Sequence, residues 1–446
     1  MKKAKYLLPR VVMSIVAVLV SLIAFQTMVS AFVDVSSSAV TDADFIESPS
    51  YGSLIMGEDY AYSFAVVGDT QSLNYQDVTS GTKNMQKLYQ WILDNQSEKN
   101  IQYVLGLGDI TNAVYKTPAG DLYDVNYGEW QNAIDAINLL NNNIPYSLVR
   151  GNHDGIDEFN SSFGEGTYYY DNLVTMSASG NAGFYPSYIN ESQTIFAIDN
   201  TWRKVEIGAH KYLIMTLGHG QNEGVYAWAN DVIAANPDYK VIATTHQFIK
   251  SDGKMYTEDP TSGPYLDADS KRSTELWNNV LSKHANVMMM ICGHVCVDDI
   301  VTTQLIGENG NIVTCMLVDA QDVDIVRDDF RGNVGMVAMF YFSEDGSSIK
   351  VEYISTIRDS DQDDTTHSYL KDKNQFSLEL SYECVETEHG FIPKYVYDNP
   401  TDYPFVLFQD GSYIGANSQW ATNDGAGAWI TARGRASAER PVTSHS

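Results

Sequence analysis

The chain has 446 residues, room for one large catalytic domain and a smaller partner. With 44% hydrophobic and 12% aromatic side chains it is a folding sequence, which excludes a disordered class. Its formal charge of −29, from 28 basic against 57 acidic side chains, repels polyanions and argues against non-specific nucleic-acid binding. A small phosphoester stays admissible, because bound dications reverse the local field.

At the start, Lys2, Lys3, Lys5 and Arg10 precede an uncharged apolar run from Val11 to Phe25. Val29-Ser30-Ala31 then presents small residues, so residues 1–31 read as a secretory signal peptide cleaved after Ala31. The run falls short of the roughly 20 residues a membrane-spanning helix needs. The expected location is secreted or cell surface. Residues 32–58, rich in Ser, Asp and Ala, read as a linker.

Tyr62 to Val67 is the first expected core strand, β-branched and aromatic. Asn84 to Asp94 sets Met85, Leu88 and Ile92 at helical spacing, and Tyr103 to Leu107 is the next strand. Glu129 to Leu140 reads as a helix, with Trp130, Ile134 and Ile137 on one face, and Ile144 to Val149 as a strand. The polar passage from Phe163 to Asn190, with Tyr168-Tyr169-Tyr170, lacks strong periodicity and suits an active-site loop or lid, or equally a surface insertion. Strands are expected at Ile195 to Ile198, Tyr212 to Leu217, Val241 to Thr245 and Val287 to Ile291. Helices at Val225 to Ala235 and Thr274 to His284 separate the last three. Met316 to Val318, Val334 to Phe342 and Ile349 to Ile354 read as closing strands. The alternation gives an α/β class.

Beyond residue 357 the character changes. Residues 359–364 form an acidic break, and Asp410-Gly411 between two apolar runs signals a hairpin. Residues 358–446 therefore read as a small β-rich accessory region ending in a basic, aperiodic tail. This region is a candidate for cell-surface association. The four cysteines, Cys292, Cys296, Cys315 and Cys384, are too few for a disulfide framework. Cys296 sits within a motif, and the other three are core residues or one disulfide.

Five strand ends run into polar loops: Gly68-Asp69-Thr70-Gln71, Gly108-Asp109-Ile110-Thr111-Asn112, Gly151-Asn152-His153-Asp154, Thr245-His246 and Gly293-His294-Val295-Cys296. Open α/β sheets collect their ligands at the carboxyl ends of strands. This ordered set resembles the calcineurin-like metallophosphoesterase superfamily, over roughly Tyr60 to Ile357. The resemblance implies a β-sandwich flanked by helices over 59–357, two divalent ions (manganese, iron or zinc) and hydrolysis of a phosphomonoester or phosphodiester. In that chemistry a pair of dications binds the ester, polarises phosphorus and generates the attacking hydroxide near neutral pH.

Carried over by motif, Asp69 resembles a first-metal ligand and Asp109 the bridging carboxylate. Asn152, His246 and His294 resemble the second-metal ligands. His153 resembles the proton donor to the leaving oxygen, with Asp154 orienting it. Three residues depart from the pattern. Gln71 and Cys296 stand where many members carry His, both on the first metal, and Asn112 stands where a trailing Asp is usual. Asp319 and Gln321, in an Asp-x-Gln segment, read as structural support, and Arg150 as a surface ion pair. The remaining histidines, His219 among them, read as surface or packing residues. A Tyr-rich loop able to stack an aromatic ring favours a small, nucleotide-like phosphoester. The competing reading is a catalytically weakened surface-binding protein on the same fold. A purple-acid-phosphatase-like enzyme is disfavoured, because that group places a Tyr ligand after the bridging-Asp motif.

Overall fold

The computed structural model describes residues 60–112, 127–190, 193–195, 197–256, 273–297, 300–321, 335–357, 375–387 and 390–394, and short strands between 405 and 430. The expected signal peptide and linker, the acidic break and the basic tail lie outside these residues.

The first strands are β1 (Tyr60–Val67), β2 (Ile101–Gly106), β3 (Tyr146–Leu148), β4 (Ala182–Phe184), β5 (Ser187–Asn190), β6 (Gln193–Ile195), β7 (Asn200–Ile207) and β8 (His210–Leu217). They are followed by β9 (Lys240–Thr245), β10 (Val287–Cys292), β11 (Val301–Ile306), β12 (Ile312–Leu317), β13 (Met336–Ser343), β14 (Ser348–Ser355) and β15 (Gln375–Glu379). Six of them form one sheet in the order β15-β14-β13-β1-β2-β3, with β1, β2 and β3 parallel. The second sheet runs β11-β12-β10-β9-β8-β7-β4, with the short strand Trp429–Ile430 outside β11. Its centre, β12, β10, β9 and β8, is parallel.

Alternation along β1 builds two cores at once. Tyr62, Phe64 and Val66 face a core shared with Tyr212 and Ile214 of β8, Ile242 of β9, Met289 and Ile291 of β10, and Phe340 and Phe342 of β13. That core lies between the sheets. Ala65 and Val67 join a second core with Leu88 and Ile92 of the helix Asn84–Asp94, Trp130 and Ile137 of Tyr127–Ile137, and Phe159 of Ile156–Phe163. A third core packs Met215, Ala243 and Met290 against Val225 and Ile233 of the helix Glu223–Ala234 and Trp277 of Ser273–Asn279. Helices therefore cover both outer faces of a two-sheet sandwich, and central strands buried on both faces read as continuous apolar runs. Tyr62 and Tyr212 join their hydroxyls across the interior, pinning β1 to β8.

Four expectations change. The passage read as an active-site loop or lid, or equally as a surface insertion, contains the helix Tyr168–Ala178 and the strands β4 and β5. Within that helix Tyr169 is buried and its hydroxyl accepts from Leu148 N at 3.2 Å, while Tyr170 packs on Phe184 at 5.6 Å between ring centroids. Core packing, not stacking on a ligand, accounts for those two tyrosines. The helix Gln71–Ser80 was not foreseen, because beside Leu73 it buries the polar Gln71, Asn74 and Asp77 and so carries no apolar stripe. Its Asp77 carboxylate caps the next helix, accepting from Asn84 N and Met85 N at 2.7 Å each. Strands β7 and β11 were likewise unforeseen.

Within the expected accessory region, β15 pairs antiparallel with β14 as the edge of the first sheet. Strands Phe405–Leu407 and Tyr413–Gly415 pair in register, Val406 facing Ile414.

Candidate metal centre

The carboxyl ends of β1, β2, β3, β8, β9, β10 and β12 deliver Asp69, Asp109, Asn152, His219, His246, His294 and Asp319 to one end of the sandwich. Two backbone bonds tie the first-sheet loops, Leu107 N to Val67 O at 3.0 Å and Thr70 N to Asp109 O at 3.1 Å. In the second sheet Gly293 N donates to His246 O at 2.9 Å and Val318 N to Cys292 O at 2.8 Å. Asp109 and His294 both adopt left-handed backbone, φ 44° and 75°, a strain that non-glycine residues sustain chiefly where function demands the placement. Gly151 touches Asp109 Oδ1 and Gly293 touches Asp69 Oδ1 so closely that neither glycine has room for a Cβ.

Asn152 Oδ1 lies 2.9 Å from His246 Nε2 and 2.8 Å from His294 Nδ1, and those two nitrogens are 3.2 Å apart. His246 Nε2 is also 3.2 Å from Asp109 Oδ2. On the far side of the ring, His246 Nδ1 donates to Leu107 O at 3.0 Å, which fixes the orientation that points Nε2 into the cluster. Burial would raise the Asp109 carboxyl, but His246 and His153 hold it well below the usual carboxylate range. Burial likewise opposes charge on His246, yet the neighbouring Asp109 raises its pKa. Burial and the neighbouring His246 push His294 down to about 4. Two imidazole nitrogens, an amide oxygen and a carboxylate converge there. That donor set fits a divalent ion. Asp109, His246 and His294 place one ligand atom each within 4.8 Å of one another.

Asp69 accepts from His294 N through both oxygens, at 3.3 and 3.1 Å, and its Oδ1 is 3.9 Å from His246 Nδ1. Burial, Asp319 and Asp109 push its pKa well up. Gln71 is buried, and its Nε2 donates to Gln321 Oε1 at 2.8 Å. Cys296, by contrast, is exposed. Each of the four cysteines carries a thiol, so the disulfide alternative for Cys292, Cys315 and Cys384 does not hold.

His153 is the outermost of the group. Its side chain is 25% exposed, its Nε2 stands 4.0 Å from Asp109 Oδ2, and its backbone N–H donates to Asp109 Oδ1 at 2.8 Å. Asp154 also binds backbone next to that ring. Fully buried, it accepts from Ile110 N at 3.1 Å, Thr111 N at 3.0 Å and Gly151 N at 2.9 Å, so it clamps the Asp109 loop to the Asn152 loop. Arg150 is buried as well, not on the surface. It donates to His219 O at 2.6 Å and Gly151 O at 3.1 Å, joining the β3 and β8 loops.

Sequence reasoning passed over His219. Its ring centroid lies 5.6 Å from that of His246 and 5.8 Å from that of His294, and burial with the positive charge of His246 depresses its pKa well below normal. The signal was present: Leu217-Gly218-His219 repeats the strand-Gly-His pattern of Cys292-Gly293-His294.

A family model described as calcineurin-like phosphoesterase matches residues 62–298. The chain is 23% identical over 389 residues to the uncharacterized protein YvnB of Bacillus subtilis (strain 168), an alignment covering 81% of this chain and 25% of that protein. It thus spans about a quarter of the length of this curated relative. Among solved structures it is similar to purple acid phosphatase PPD1 from yellow lupin (Lupinus luteus) seeds, with 14% identity, a TM-score of 0.38, and coverage of 71% of this chain and 53% of that one. It is also similar to GAP50, the anchor in the inner membrane complex of Plasmodium, with 12% identity, a TM-score of 0.32, and coverage of 66% and 84%. With more than half of the chain inside the family model, this protein belongs to the calcineurin-like phosphoesterases.

Proposed function

We propose that this chain is an exported, metal-dependent phosphoesterase that hydrolyses a small phosphomonoester or phosphodiester using two divalent ions. The observation that carries the reading is the convergence of Asn152 Oδ1, His246 Nε2, His294 Nδ1 and Asp109 Oδ2 beside a partly exposed His153. Bound divalent ions supply Lewis acidity toward the phosphoryl group and lower the pKa of water enough to furnish a nucleophile near neutral pH.

The chain's own residues do the rest. Asp109, held ionised and placed between the first-sheet and second-sheet loops, is the carboxylate able to serve both ions. Asn152, His246 and His294 would hold the second ion, with His246 oriented by the Leu107 carbonyl. His153, standing at the solvent side, gives its Nε2 proton to the departing oxygen. Arg150 and Asp154 keep the loops in register from behind.

The test is hydrolysis of a chromogenic phosphodiester and a chromogenic monoester by the mature protein, titrated with manganese, zinc and iron. Turnover that requires metal and collapses in Asp109→Ala and His153→Ala supports the reading. Equal inertness of wild type and variants on both esters under every metal overturns it and favours a binding protein.

A further inference from the structure

We propose that the chain carries a second ligand site, built around the buried Arg203, that takes a small hydroxylated monocarboxylate such as a sugar acid. It lies away from the metal centre and stands whether or not the chain is a phosphoesterase.

The site is a cavity of about 360 Å³, at the small end of the range for ligand pockets. Its walls come from residues 142–146, which lead into β3, from the first turns of the helix Tyr168–Ala178, and from Arg203 of β7. Asn152 of the metal centre follows the other end of β3, so the two sites stand at opposite ends of that strand. Of the three consecutive tyrosines, Tyr168 is the one that core packing does not claim. It lines this cavity with 38% of its surface exposed.

Arg203 is 3% exposed, and its guanidinium carbon lies 4.8 Å from the centroid of the Tyr169 ring. Nη1 donates to Asn172 Oδ1 at 2.7 Å and reaches Met176 Sδ at 3.7 Å. Nε and Nη2 are buried with no hydrogen-bond partner, and none of the salt bridges among the described residues includes Arg203. The Tyr169 face attracts the charge but supplies no oxygen. A buried charge without a counter-ion, with two unmet donors, is costly unless a ligand answers it. Nε and Nη2 share one edge of the guanidinium, whose parallel N–H groups match the two oxygens of a carboxylate. Among the described residues that line the cavity Arg203 is the one charged side chain, so it balances a monoanion. The chain's charge of −29 disfavours anions of higher charge. The amides of Asn142, Asn143 and Asn172 offer neutral donors and acceptors to hydroxyl groups. Asn172 is a neutral acceptor, and a charged one bonds about twice as strongly. A carboxylate entering the cavity therefore displaces Asn172 from Arg203 and gains the unmet edge as well.

The experiment is isothermal titration calorimetry of the full chain with glucuronate, with glucose as its uncharged counterpart, and with inorganic phosphate. Wild type, Arg203→Lys, Asn172→Asp and His246→Ala are compared, with circular dichroism confirming that each is folded. Glucuronate should bind wild type and His246→Ala alike, and glucose at least about tenfold more weakly. Arg203→Lys should lose at least about tenfold in affinity for glucuronate, because an ammonium lacks the paired edge. Asn172→Asp sets a carboxylate of the chain's own against Arg203, so it should abolish binding and raise the melting temperature. Four results overturn the assignment: a wild type silent toward glucuronate, binding that survives in Asn172→Asp, binding lost in His246→Ala, or phosphate taken in preference to glucuronate. The last two would place the anion at the metal centre or make it a phosphate.

Discussion

Asp154 Oδ1 accepts from Thr111 twice, from its backbone N–H at 3.0 Å and its hydroxyl at 3.3 Å, so the carboxylate of one motif holds the backbone of another. Its other oxygen accepts from Ile110 and Gly151. Asp154→Ala leaves these amides without partners in a fully buried site and is expected to cost about 2–4 kcal/mol of stability. Activity should fall at least about a hundredfold as Asp109 loses its placement. Thermal melting of the metal-free chain, beside single-turnover rates, checks both; unchanged melting sinks the clamp.

His153 meets the cluster through its backbone bond and a 4.0 Å approach to Asp109, so removing its ring should spare metal binding. His153→Ala is expected to retain both ions and lose about 10²–10³ in kcat on an ester with a poor leaving group. The loss should shrink on a nitrophenyl ester, whose leaving group scarcely needs a proton. Equal losses on the two esters would show that His153 does not act as the proton donor.

Removing metal should destabilise as well as inactivate, because ions that bind only the folded chain add stability by mass action. A chelator is expected to lower the melting temperature by several degrees, and the decrease should be smaller in His246→Ala, which has already lost a ligand held by Asn152 and Asp109. Identical chelator shifts in both proteins would count against His246 as a ligand.

In the metal-free chain, burial pushes Asp319 up to about 6. Its folded pKa then exceeds the unfolded value of about 4, so its contribution is present below about pH 4 and lost as pH rises through about 6. His294, pushed down to about 4, works in the opposite sense over the same range, so the informative quantity is a difference between two proteins. Asp319→Asn should gain melting temperature over wild type progressively from pH 4 to 6, by a few degrees at the top. A pH-independent difference would mean that Asp319 does not titrate there.

Gly68 offers a test free of any titrating group. Gly68→Ala forces a methyl into the Val318 carbonyl and should push β1 away from β12, lowering the melting temperature. Unchanged melting would show that the approach is not needed.

Much of this was legible along the chain. The apolar runs of β1, β8, β9 and β10 announce themselves because both faces of each strand are buried, and the motif loops declare their chemistry by following those runs at once. The helix Gln71–Ser80 stayed hidden because its buried residues other than Leu73 are polar; their partners, such as the Ile110 and Glu129 carbonyls accepting from Asn74, lie far away in sequence. Tyr168-Tyr169-Tyr170 misled for the opposite reason, since aromatic side chains look alike whether they await a ligand or fill a core.

The sequence by itself determined the α/β class, the family and the order in which the polar loops leave their strands, because hydrophobic periodicity and motif spacing are local properties. Only the tertiary structure decided which polar groups meet. It made Asp154 the clamp of two loops, drew His219 in beside His246, and brought Gln321 within reach of Asp69 from far along the chain. Those meetings depend on the packing of two sheets and on glycines that let their loops touch, distances that no stretch of sequence contains.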